Sequence, residues 1–225
     1  MFALLGKKRG MTQIFQDDGT LLPVTVIEAG PCMVAQKKTK AKEGYDALQL
    51  AFGKSKAGRL TKAQKGHFEK KKLELYGRLG EFRTSKAAHF EVGDMLTVAA
   101  LQVGDTVDVT GVTKGHGFSG VMKKEGKHGG PDSHGSDFHR RPGSIGMRTW
   151  PARVLKNMGM PGHYGCVTQT VKNLKVVAVK PEQNLVLVEG SVPGHRNGDV
   201  VVVHRKKDFE KAVKEKENNG IGSPQ

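Results

Sequence analysis

The sequence predicts a mainly β fold, a closed or nearly closed β-barrel with a small helical insertion and one long irregular loop. Three observations carry that prediction. Short alternating apolar stretches, separated by turn-formers, fill both ends of the chain. A Gly-Asp turn feeding an alternating strand occurs three times, as "VGDMLTV" (92–98), "VGDTVDV" (103–109) and "NGDVVVV" (197–203). Between the ends lies a Gly-rich basic stretch in which neither the strand nor the helix period survives.

Residues 1–52 read as strands. "PVTVIEA" (23–29), "CMVAQKK" (32–38) and "DALQLAF" (46–52) alternate, and "DDG", "GP" and "EG" punctuate them. "LTKAQKGHFEKKK" (60–72) has the composition of a short helix that Gly66 interrupts. "VTQTVKNLKVVAV" (167–179) and "NLVLVEG" (184–190) complete the strands. Strands of 1–52 and 92–110 are expected to pair with 167–203, so that both ends of the chain build the barrel. The domains are therefore drawn as a barrel from 1–110 plus 166–205, an extended loop at 111–165, and a charged, partly disordered tail at 206–225. In the tail, Phe209 and Val213 are spaced for one face of a short helix.

The 225 residues carry a formal charge of +15. Such an excess repels itself in a compact state, and a polyanion is the expected partner. Cys32 and Cys166 lie far apart with no CxxC pair. They read as two small buried side chains in a reducing cytoplasm. The apolar start ends at Gly6 and Lys7, too short for a secretory core, and no run is long enough to span a membrane. A soluble, cytoplasmic protein without a membrane partner is expected.

The stretch 111–165 holds thirteen glycines, five histidines, and nine Lys and Arg against three acidic residues. Its larger apolar side chains are too few to offset the entropy of ordering so long a segment. It therefore needs a partner to fix its shape. Gly115, Gly117 and Gly120 spell GxGxxG, and "TVDVTG" (106–111) is the strand such a turn requires. The helix that should follow is cut to about one turn by Gly126, Gly129, Gly130 and Pro131. A nucleotide-cofactor enzyme using residues 115–120 is the alternative reading; a barrel-containing translation factor that binds RNA transiently is a third. His128, His134 and His139 are irregularly spaced, so no metal is expected. Cys166 beside His163 has no recognisable oxyanion turn, and Asp105 and Asp108 look structural. No catalytic residue and no cofactor is assigned.

What remains is electrostatic and steric. Glycine lets backbone N–H groups approach phosphate, arginine forks onto phosphate or stacks on a base, and lysine adds point charge. An irregular finger suits the crevices of a folded RNA better than a duplex groove. The candidate phosphate contacts are Lys114, Lys123, Lys124, Lys127, Arg140, Arg141, Arg148, Arg153 and Lys156. His139 and Trp150 are candidates for base or sugar, and His116 is a further RNA-binding candidate. Lys7, Lys8 and Arg9 form a second, basal patch.

Five segments, "GKKRGMTQIF" (6–15), "TKAQKGHF" (61–68), "VTGVTKGHGFSGVMK" (109–123), "RRPGSIGMRTWPARVLKNMGMPGHYG" (140–165) and "VPGHRNGDVVVV" (192–203), closely resemble the bacterial form of the L-three family of large-subunit ribosomal proteins. The resemblance runs from Phe2 to about Val203. It implies a translation-protein-like barrel on the ribosome surface and a loop reaching into large-subunit (23S-type) ribosomal RNA toward the peptidyl transferase centre. It also implies early RNA binding that helps nucleate the subunit, with neighbouring large-subunit proteins as further partners. Residues 111–165 match the extension, and Gly143–Arg153 its innermost part. Many bacterial members carry a glutamine, methylated in some, just after "GSIG". This sequence has Met147, Arg148, Thr149 and Trp150 there, so the resemblance carries no methylglutamine to this place. Arg9 replaces an apolar residue usual in the first motif.

Overall fold

A computed structural model describes residues 2–84 and 87–204. The expected charged tail at 206–225, with Phe209 and Val213, lies outside the described residues. In chain order the strands are β1 (Phe2–Phe15), β2 (Leu21–Ala29), β3 (Cys32–Lys38), β4 (Ala47–Lys54), β5 (Tyr76–Arg83), β6 (Met95–Leu96), β7 (Thr106–Val112), β8 (Phe118–Ser119), β9 (Gly162–His163), β10 (Thr168–Lys180), β11 (Leu185–Glu189) and β12 (Asp199–His204). The α-helices are α1 (Lys40–Glu43), α2 (Lys62–Glu69) and α3 (Val121–Glu125). The chain divides into two compact units, one running to Val112 and resuming at Thr168, the other Thr113–Val167.

In the first unit six strands close into a barrel in the order β1-β12-β7-β10-β11-β2, each hydrogen-bonded on both sides. Every pairing is antiparallel. The alternation in β2 and β12 puts Ile27, Ala29, Val200 and Val202 inside and their neighbours nearer the surface. Leu4, Leu5, Val107, Val109, Val186 and Val188 fill the same core. β1 bulges between Lys8 and Gly10, and β10 between Val171 and Leu174. At the second bulge the buried carboxylate of Asp108 accepts the Asn173 N–H at 2.9 Å, a structural role.

β3 and β4 do not join the barrel, which corrects the pairing expected for 1–52. They form a separate four-stranded sheet in the order β5-β4-β3-β6. Alternation marks a strand but not its partner, and β5, "YGRLGEFR", carries two glycines and three charged residues that hide its period. The sheet turns Val34, Leu48, Leu50 and Phe52 into the same continuous core. Its other face packs Met33, Ala35, Ala51 and Tyr76 against Phe68 of α2. That helix runs through Gly66 without a break. It is fixed at its start by a capping box in which Thr61 accepts the Gln64 N–H and Gln64 reaches back to Thr61.

The repeated Gly-Asp turns share one device at two sites. Asp94 accepts the Glu91 N–H at 2.9 Å and Asp105 accepts the Gln102 N–H at 2.8 Å. Only two residues of the first repeat, Met95 and Leu96, continue as strand. Cys32 is buried, whereas Cys166 is exposed, which corrects its reading as a packing residue. It stands with a left-handed backbone, φ 54°, just before β10.

Candidate nucleic-acid interface

The unit Thr113–Val167 leaves after β7 and returns at β10, which are paired neighbours (Val112↔Thr168). Its root is a short ladder. Thr113 N–H donates to Val167 O at 2.9 Å, His116 N–H to Tyr164 O at 2.8 Å, and Tyr164 N–H to Gly117 O at 2.9 Å. β8 and β9 extend it. Of the GxGxxG glycines, Gly115 and Gly117 fall in this ladder, and Gly120 stands at the start of the helix that follows. The helix after them, α3, has five residues and stops at Gly126 in the left-handed conformation, φ 69°.

Beyond the ladder the unit has almost no interior. Of Thr113–Val167 only Ser119, Val121 and Gly165 are buried, and from Pro131 to Trp150 every residue except Ser136 is exposed. Trp150 is 81 % exposed and Met147 73 %. Gly129 and Gly130 let the backbone at Phe138 and His139 come close, with Gly130 N–H donating to Phe138 O at 2.9 Å; a Cβ at either glycine would strike those carbonyls. The segment thus turns back on itself through backbone contact rather than through a packed core.

The predicted cations fall into three groups. Arg140, Arg141, Arg148, Arg153 and Lys156 are exposed and take part in no ion pair among the described residues. Lys114, His116, Lys123 and Lys127 lie along the root and α3, with His116 stacked on Tyr164. Lys124 is tethered instead, to Met160 O at 3.2 Å and to Glu125 at 3.1 Å. His139 Nδ1 lies 3.5 Å from an Asp132 carboxylate that is itself wholly open to solvent.

The basal patch on β1 is less free than its sequence suggests. Lys8 Nζ donates to Val192 O at 2.6 Å and to Gly194 O at 3.4 Å. Arg9 is paired with Glu28 and donates to Asn197 Oδ1 at 3.0 Å. Lys7 is half-buried. Arg9 and the bulge residue Gly10 line a cleft of about 440 Å³ with Met11, Val26 and Arg196. Arg196 was missed by sequence reasoning; its only signal was its place in the turn "GHRNGD".

A second basic region was also passed over. Residues 54–72 hold eight Lys and Arg against Glu69 alone. Lys56, Arg59, Lys62, Lys70 and Lys72 are exposed around α2. Lys71 donates to Ala35 O at 2.8 Å, and partial burial, then the neighbouring Lys70, holds its ammonium below the ordinary lysine range. Crowding of like charge is a cost that an anionic partner would relieve.

Among the described residues no three of His, Cys, Asp and Glu gather as metal ligands, and no helix is long and apolar enough to cross a membrane.

The family profile of Ribosomal protein L3 matches residues 60–184. The chain is 47 % identical over 207 residues to the large ribosomal subunit protein uL3 of Brachyspira pilosicoli, covering 92 % of this chain and 95 % of that protein. It is 49 % identical over 199 residues to the protein of the same name from Carboxydothermus hydrogenoformans, covering 88 % and 95 %. To that of Syntrophus aciditrophicus it is 47 % identical over 195 residues, covering 87 % and 89 %.

Proposed function

The chain belongs to the ribosomal protein L3 family, and on that footing we propose that it is a structural constituent of the large ribosomal subunit that fastens large-subunit ribosomal RNA with its Thr113–Val167 unit. The barrel, of the translation-protein type that the family resemblance implies, supplies the foldable base. The Gly-rich unit supplies cations, close backbone approach and open ring faces. In this reading the tip Gly143–Arg153 lies deepest in the RNA, toward the peptidyl transferase centre, and early binding helps nucleate the subunit. The role is structural, and no reaction is assigned to any residue.

One observation carries this reading. A segment with nine cations against three acids keeps only Ser119, Val121 and Gly165 buried. Apolar burial of that size cannot order a unit this long, so its shape must be completed from outside. Exposed arginines complement phosphate as bidentate donors, and Trp150 presents a stacking face. Arg140, Arg141, Arg148, Arg153 and Lys156 are the first phosphate contacts, and Trp150 and His139 the base or sugar contacts. Lys114, His116, Lys123 and Lys127 act nearer the root. Lys124 and the Lys7–Arg9 patch contribute less, because neighbouring carbonyls and Glu28 already hold Lys8, Arg9 and Lys124.

Chemical footprinting of large-subunit ribosomal RNA tests this. Replacing residues 115–162 by a short Gly/Ser linker is expected to keep cooperative unfolding of the barrel and to erase most of the protected nucleotides. Unchanged protection would contradict the assignment.

A further inference from the structure

The β1–β2 hairpin outruns the barrel. β12 accompanies β1 only as far as the contacts of Lys8 with Asn197 and Gly198, and β11 accompanies β2 only as far as Val24, with Gly190 N–H closing on Pro23 O. Past Lys8 the outer edge of β1 has lost β12, and past Pro23 β1 and β2 pair with each other alone, at Ile14↔Leu22 and Phe15↔Leu21. Side chains alternate along a strand, so the face that carries Ile27 and Thr25 inward continues as Pro23 and Leu21. Opposite Thr25 and Leu21 stand Met11 and Phe15. The arm thus prolongs an interior face beyond the interior. Met11 is 51 % exposed, Phe15 67 % and Leu21 45 %. Among the described residues no strand pairs with the outer edge of β1 from Met11 to Phe15.

The charge of this arm is opposite to that of the chain. Residues 10–24 contain no Lys or Arg and carry Asp17 and Asp18 at the tip, in a protein of net charge +15. Asp18 accepts the Thr20 N–H at 2.9 Å, and that bond holds its carboxyl below the ordinary range, so it is ionised at neutral pH. Phosphate would meet repulsion at this tip, the cations Arg9 and Arg196 lining the cleft at the base of the arm instead. An exposed, largely apolar face, interrupted by Gln13 opposite Pro23, beside an unpaired strand edge is a site for protein, through edge pairing and side-chain burial.

We propose that the arm, Met11–Phe15 with Leu21–Pro23 and the Asp17–Asp18 tip, is a docking surface for a basic protein of the large subunit. The partner adds an extended segment along β1, buries apolar side chains on Met11, Phe15 and Leu21, and places Lys or Arg against the two aspartates. The proposal rests on the reading of the chain as a large-subunit constituent.

The test is site-specific cross-linking in assembled subunits. The full-length chain carrying the photoreactive residue p-benzoylphenylalanine in place of Phe15 is expressed, large subunits are isolated by sedimentation, and the illuminated product is identified by mass spectrometry. The expected product joins position 15 to a peptide of another subunit protein with net positive charge. Adding Asp17→Lys, which leaves the Asp18–Thr20 bond in place, should lower the cross-link yield about tenfold, the effect of a like-charge clash of little over 1 kcal/mol, with incorporation into subunits unchanged. A cross-link to RNA, to this chain itself or to an acidic peptide overturns the proposal, as does incorporation without any cross-link. A chain absent from the large subunit overturns the functional reading and this proposal with it.

Discussion

His116 stacks on Tyr164 with ring centroids 5.1 Å apart and planes 22° from parallel, and the backbone N–H of His116 donates to the carbonyl of Tyr164 at 2.8 Å. One residue lies on the outgoing chain and the other on the returning chain of the Thr113–Val167 unit. They close its root where few side chains are buried.

Removing that stack should loosen the root without touching the barrel. An aromatic pair contributes about 0.5–1.5 kcal/mol beyond its buried area. Tyr164→Ala is therefore expected to speed amide exchange at His116 roughly three- to tenfold. Exchange at Val109 and Val202, in the barrel core, should be unchanged. Hydrogen exchange followed by mass spectrometry or NMR reads both in one experiment.

RNA binding should be steeply salt-dependent. If about six phosphates are neutralised, the log–log slope lies near −4 to −5, or roughly a thousandfold between 50 and 200 mM salt. Arg140→Ala combined with Arg141→Ala should flatten the slope by about one to two. A filter-binding titration across salt measures it, and a flat response would remove the electrostatic account.

The two thiols should separate cleanly. Cys32 is buried, accepts the Leu5 N–H and donates to Leu5 O, both at 3.3 Å; burial pushes its thiol up to about 12. Cys166 is exposed. A thiol reagent such as DTNB at neutral pH should therefore react quickly with Cys166 alone and reach Cys32 only after denaturant is added. Fast reaction of both thiols in the native protein would contradict the packing described for β1.

Acid should weaken the second sheet through Glu81. Hydrogen bonds from Lys38 and then Tyr45 hold its carboxyl below the ordinary range. A carboxyl lowered by folding contributes its full share of stability above the unfolded value, about 4.3. That share is lost as pH falls through the folded value. Glu81→Gln should lower Tm at pH 7 and flatten the decline of Tm below about pH 5. Thermal denaturation of both proteins from pH 3 to 7 checks the sign.

Much of the first unit was legible, because alternation is a local signal. β2, β3, β11 and β12 fall where apolar residues alternate between turn-formers. β1 was harder to delimit, since Lys7, Lys8 and Arg9 interrupt the apolar period and a bulge follows them. The assignment of β3 and β4 to a separate sheet was not legible at all, because pairing depends on residues far away in sequence. For the candidate interface, charge and glycine content singled out the stretch. They gave no sign that Lys8 is spent on the Val192 and Gly194 carbonyls, or that Arg9 is spent on Glu28 and Asn197. A side chain's partners across a barrel are set by register, and register is written nowhere in a run of basic residues.

Amide hydrogen exchange across Thr113–Val167, with and without large-subunit ribosomal RNA, addresses the proposed role most directly. Residues 131–150 should exchange within seconds in the free protein and become at least about a hundredfold slower once RNA is added, while the barrel strands are slow in both states. Equal and strong protection of 131–150 in the free and mixed samples would show that the segment holds its shape unaided, and would contradict a unit shaped by RNA.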